Sequence, residues 1–204
     1  MRANKTLKPL PPLFSDNHDY SKHVKQILRS PYAWLDSAES LLYVSQSLGR
    51  QLEKMYKENK KVNSETWKNI DLHKRDKKFI ALNKTYYLLS GLALESLSKG
   101  IIVAREPEYD ILNHGLKDLL IKAGIDFSDK KTGAWEKQLC ERLKINIVWS
   151  GRYPAPKPKS ATDIRYGMYL EPDLSLIKKW VNSLRKNLII EVEKEMKLRR
   201  RNQA

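Results

Sequence analysis

The 204-residue chain has one cysteine, Cys140, and only eight glycines. A single thiol excludes a disulfide framework and any metal cluster built from several cysteines, and it fits a reducing compartment. The glycines never form G-x-G-x-x-G or G-x-x-x-x-G-K-[ST], so phosphate cradles of those two kinds are excluded. Histidine is sparse as well. His18, His23, His73 and His114 are scattered, and the closest two stand five apart, off a shared helix face. Neither a metal site nor a cofactor is expected from these spacings.

Long apolar runs are missing too. The stretch around residues 86–104 is interrupted by Ser90, Glu95, Ser96, Ser98 and Lys99, so it reads as a core helix rather than a bilayer span. The N-terminal MRANKTLKPLPPLF has a positive start but no unbroken apolar stretch of the signal-peptide kind. A soluble, cytoplasmic protein without a membrane partner is the expectation. Negative charge is scarce: 24 Asp and Glu face 39 Lys and Arg, a formal net charge of +15. Such an excess favours anionic partners, and nucleic acid is the commonest intracellular polyanion.

What is present is helical periodicity. Residues 1–29 carry Pro9, Pro11 and Pro12 and no sustained period, so an extended basic arm is expected there. From Ser30-Pro31, a cap followed by a first-turn proline, Trp34, Ala38, Leu41, Ser45, Leu48, Leu52 and Met55 recur at three and four, marking an amphipathic helix that fades at residues 57–61. A second helix, residues 76–106, is apolar on nearly two faces, as befits the middle of a bundle, and Pro107 stops it. Shorter helices are expected at residues 114–123, with Gly124 past the end, and at residues 133–149. A last helix starts near Asp173, carries Leu174, Ile177, Val181, Leu184, Leu188, Val192 and Met196 on one side, and ends in Arg199, Arg200 and Arg201.

Between the last two helices, residues 152–172 hold four prolines and three tyrosines, a long Pro-rich loop of the sort that often carries function. No strand-like alternation and no fixed-period repeat is found. The expected architecture is therefore all-α: a single bundle of four or five helices over residues 30–204, preceded by the basic arm at residues 1–29.

Few residues offer chemistry. Cys140 lies among Trp135, Leu139 and Leu143, where a small buried hydrophobe outweighs a catalytic thiol. Glu95 and Lys99 stand four apart in the apolar helix, acid first, the favourable order for a side-chain pair. Such a pair is either a tie at the edge of the core or the organiser of a groove that holds phosphate. Arg152 follows a helix end at Trp149-Ser150-Gly151 and has Tyr153, Lys157, Lys159 and Arg165 close behind. Its guanidinium suits phosphate oxygens and the tyrosines suit unpaired bases, while capping of helix carbonyls is the competing role. The basic run at residues 197–201 is either a solvated helix end or a nucleic-acid contact.

Two stretches together resemble the HEPN superfamily of helical bundles. Residues 86–125 look like that family's second and third helices, with Glu95, Lys99 and then His114, Leu116 and Leu119 as a His-x-Leu-x-x-Leu step. Residues 143–154 end in Arg152-Tyr153-Pro154, similar to the family's "RYP" ending of the fourth helix. The resemblance covers about a third of the chain directly. It implies a helical bundle, a homodimer, association with RNA and, in active branches, a metal-independent ribonuclease using Arg and a His four to six residues later. Here YPAPKPK follows Arg152 and that His is absent.

The expectation is thus a non-catalytic HEPN-like binder of RNA or nucleotide phosphate, of a bacterial defence or toxin–antitoxin type. Arg152, Tyr153, Lys157, Lys159, Arg165 and Lys99 are its candidate binding residues. Two alternatives stay open: an interaction subunit or antitoxin whose basic surface meets an acidic partner protein, and a metal-independent endoribonuclease with an unusual set drawn from Arg152, His114 and Glu95.

Overall fold

The computed structural model describes residues 17–61, 72–109, 115–129, 133–147 and 171–201. Six helices account for almost all of them, and no strand occurs among the described residues. They are α1 (Asn17–Leu28), α2 (Pro31–Lys61), α3 (Leu72–Arg105), α4 (Leu116–Lys122), α5 (Gly133–Ile145) and α6 (Glu171–Arg201). The chain is all-α, as its periodicity implies.

The helix count differs from the four or five expected, and the difference lies at the N-terminus. Residues 17–28 form α1 rather than extended chain. Val24 and Leu28, one turn apart, are half-buried on the α1 face, and α1 packs on α2. Trp34 Nε1 donates to the Leu28 carbonyl at 2.8 Å, satisfying one of the carbonyls that a helix end leaves over. Residues 1–16 lie outside the described residues. The α3 helix also begins earlier than expected, at Leu72, and takes in His73.

Ser30 and Pro31 act as their types predict. The Ser30 hydroxyl accepts from the Ala33 amide at 3.4 Å, and Pro31 occupies the first helical position, where a missing N–H costs nothing. From there α2 turns Ala38, Leu42, Ser45 and Leu52 inward, with Leu35, Leu41 and Leu48 half-buried beside them. The α3 helix lies at the centre, in contact with α2, α4, α5 and α6. Every residue from Ala93 to Val103 is buried, the outcome expected of a helix apolar on nearly two faces.

The segment Ala81–Arg105 is long and apolar enough to cross a membrane by length and composition, but 78% of its apolar 18-residue window is buried inside the bundle, so most of that apolar surface is already covered by protein. Close packing at this centre depends on Gly100. A Cβ there would come within 2.8 Å of Leu188 on α6 and 3.0 Å of Trp34 on α2.

Two glycines hold the connections around α4 and α5. Gly124 has φ +101°; its N–H bonds the Ile121 carbonyl and the Ile125 N–H bonds the Leu120 carbonyl, both at 2.9 Å. This paired closure of a helix end needs a left-handed residue, which is why glycine stands there. Gly133 opens α5 so close to the Phe127 carbonyl that a Cβ would sit 2.5 Å from its oxygen. Phe127 itself is buried in the core and meets Trp180 of α6 edge to face, with ring centroids 5.6 Å apart. After Ile145 the helix widens into a π turn at residues 146–147, and Ile147 packs where Gly91 of α3 leaves room.

Candidate nucleic-acid interface and the buried polar centres

Of the candidate binding and catalytic residues, Glu95 and Lys99 are described. Arg152, Tyr153, Lys157, Lys159, Arg165 and His114 lie outside the described residues. One turn of α3 brings Lys99 Nζ to 2.7 Å from Glu95 Oε1, with the two side chains 4% and 8% exposed. The Lys99 ammonium also stands 5.5 Å from the centre of the Trp34 ring, where the ring quadrupole favours a cation. The pair is therefore enclosed in the bundle at the α2–α3 contact, and the ammonium is held by Glu95 and Trp34 rather than displayed at the surface.

A second buried polar centre was not read from the sequence. Asp173, in the first turn of α6, is wholly buried, and four donor atoms converge on its carboxylate. Arg142 of α5 gives two bonds, Nη2 at 2.7 Å and Nε at 3.2 Å. Trp135 Nε1 donates at 2.9 Å, and the Tyr87 hydroxyl of α3 donates to Oδ2. The Arg142 guanidinium lies 5.3 Å from the centre of the Trp135 ring, so Trp135 meets both members of the ion pair.

A buried carboxylate is tolerated when its lone pairs are filled and a cation is adjacent, and both conditions hold here. The cluster ties α3, α5 and α6 together. It joins the last turn of α5 to the first turn of α6. Burial and the Asp173 charge push the Tyr87 phenol far above its ordinary value, so it stays protonated and remains a donor.

Cys140 is 1% exposed, and burial pushes its thiol up to about 12. It is an inert core side chain, since the nucleophile would be the thiolate. Among the described residues no group of three or more His, Cys, Asp or Glu side chains could hold a metal ion.

The exposed faces are basic. On α6, Lys179, Lys186, Lys197, Arg200 and Arg201 are exposed and form no ion pair among the described residues. Others are partly neutralised: Lys178 pairs with Glu53, Arg185 with Glu39, and Arg199 with Glu195. On α2, Arg50 and Lys54 are exposed without a carboxylate partner among the described residues, as are Lys137 and Lys144 on α5. Surface cations in excess of their acidic neighbours can neutralise a polyanion without any single pocket.

No protein-family model matches the chain, and no curated protein and no solved structure matches it either.

Proposed function

We propose that this protein is a non-catalytic RNA-binding helical bundle that engages the phosphate backbone through its exposed basic faces. The observation that carries this reading is the unneutralised set on α6, Lys179, Lys186, Lys197, Arg200 and Arg201, within a chain of net charge +15. The Pro-rich segment with Arg152, Tyr153, Lys157, Lys159 and Arg165 adds guanidinium and aromatic groups suited to unpaired nucleotides. The Arg142–Asp173 tie joins α5 and α6, the helices before and after it in sequence.

The reading includes a HEPN-like cytoplasmic protein acting as a homodimer in a defence or toxin–antitoxin setting. What supports that part is the resemblance at Glu95, Lys99 and the Arg152-Tyr153-Pro154 ending. Within it, Glu95 and Lys99 brace α3 beneath the binding face, and Arg152 supplies the direct phosphate contact.

The test is fluorescence anisotropy with a labelled single-stranded RNA at low salt. Lys197→Glu/Arg200→Glu/Arg201→Glu changes only exposed residues, so it should keep the helical circular dichroism and lose about tenfold or more in affinity. Unchanged affinity in a folded triple variant removes α6 from the interface. Absence of binding by the parent chain removes the reading altogether. Labelled RNA incubated in EDTA should stay intact, and cleavage would move the protein to the ribonuclease class.

A further inference from the structure

The face of α2 turned away from the bundle is accounted for by neither the buried polar clusters nor the α6 cations. Tyr32, Asp36, Tyr43, Arg50 and Lys54 follow one another on it at helical spacings of four and seven, and all are exposed. Tyr43 is 83% exposed and Tyr32 62%, with Val44 beside them at 47%. Residues 30–49 contain no Lys or Arg, the longest such stretch in a chain with 39 of them.

The charges on this face are placed symmetrically about Tyr43. Asp36 stands seven residues before it and Arg50 seven after, about 10 Å along the axis in each direction. Tyr32 and Lys54 stand eleven before and eleven after, about 16 Å away. Asp36, Arg50 and Lys54 form no ion pair among the described residues. Within one helix Asp36 and Arg50 are about 21 Å apart and cannot meet. A second copy, laid antiparallel across a two-fold axis at Tyr43, sets each Asp36 opposite the partner's Arg50 and each Tyr32 ring opposite the partner's Lys54.

Net charge points to the same face. Two copies that each carry +15 repel, and they repel least where no cation stands. Ser40 and Ser47, one turn either side of Tyr43, leave room for two helix axes to approach to about 8–10 Å. The Ser40 hydroxyl already donates to the Asp36 carbonyl at 3.1 Å, so it can be covered without losing a partner.

We propose that this face of α2 is the contact surface of a symmetric homodimer. Two copies pack it antiparallel, with Tyr43 against the partner's Tyr43 on the axis and Asp36 of each paired with the partner's Arg50. The inference rests on the homodimer in the functional reading and supplies its surface, while RNA binding by α6 is independent of it.

Sedimentation equilibrium of the nuclease-treated full chain in about 0.15 M salt tests the proposal. A single helix pair is small for an interface, so the expected dissociation constant is roughly 1–100 μM. Asp36→Arg and Arg50→Asp each place like charges opposite one another at two points and should each weaken self-association about tenfold or more. Mixed one to one, these two variants should associate about as tightly as the parent, because every facing pair is again opposite in sign. Tyr43→Ala, at an exposed position, should keep the helical circular dichroism and weaken the dimer about tenfold or more. A parent dimer that keeps its affinity in all three variants overturns this surface and leaves the homodimer reading standing, and so does failure of the mixed variants to associate. A parent chain that stays monomeric up to about 1 mM overturns both. If Tyr43→Ala then lowers RNA affinity, the face belongs to RNA instead.

Discussion

Arg142 grips Asp173 through two nitrogens, at 2.7 Å and 3.2 Å, and the carboxylate it holds is completely shielded from solvent. The relationship joins α5 to α6 across the segment that carries most of the candidate binding residues. It also decides what the cluster is for. The buried carboxylate accepts from donors on α3 and α5, the arrangement of a clamp between helices.

Removing one side of the clamp should be costly. Arg142→Ala leaves the Asp173 charge buried with only Tyr87 and Trp135 as donors, a loss of about 3–5 kcal/mol for a broken buried pair. Urea unfolding followed by circular dichroism measures it. Arg142→Lys should recover little of the loss, because an ammonium cannot supply the two-pronged contact.

The Glu95–Lys99 pair should behave in the same direction. Glu95→Gln leaves the Lys99 ammonium, 4% exposed, without its carboxylate, and a loss of about 3 kcal/mol or more is expected. Glu95→Gln/Lys99→Met, which removes both charges and keeps the bulk, should restore much of that stability. Thermal unfolding of the two variants gives the comparison.

Alkaline pH should unfold the bundle at its centre. Burial raises both Tyr86 and Tyr87 well above the ordinary phenol value, most strongly for Tyr87 beside Asp173. In the unfolded chain both phenols ionise near pH ~10, so unfolding above that pH releases protons that the folded state retains. Their contribution is fully present below pH ~10 and declines as pH rises, by about 1.4 kcal/mol per pH unit for each phenol. Ultraviolet titration should show the Tyr86 and Tyr87 phenols ionising only together with loss of helix. In Tyr86→Phe the delayed group is smaller by one.

The Cys140 thiol should be silent in the native protein. With its ionisation pushed up to about 12 and its side chain in the core, alkylation by iodoacetamide at pH 8 should proceed only through opening of the bundle. Mass spectrometry with and without urea separates the two rates. Rapid modification without denaturant would contradict the placement of α5.

Much of this fold is legible in the sequence because its helices are amphipathic in a simple way. Ser30-Pro31 announces the start of α2, Gly124 the end of α4, and the apolar residues on nearly two faces of residues 76–106 the central place of α3. The α1 helix was hidden because the prolines before it read as extended chain, and its one half-buried pair, Val24 and Leu28, is too short a signal to set a period. The Glu95–Lys99 tie is readable because both partners lie on one helix at a fixed offset. The Asp173 cluster is not, because Tyr87, Trp135 and Arg142 are brought to it by tertiary packing across long sequence separations. Asp173 looks like an ordinary acidic first-turn residue, and Trp135 like one more core aromatic.

The salt dependence of RNA affinity tests the central claim most directly. With labelled single-stranded RNA, the logarithm of the association constant should fall linearly with the logarithm of salt concentration. The expected slope is steeper than about −2, corresponding to three or more phosphates at about −0.7 each. The Lys197→Glu/Arg200→Glu/Arg201→Glu variant should give a shallower line. Undetectable binding at low salt, or an affinity that does not change as salt rises, would contradict the account.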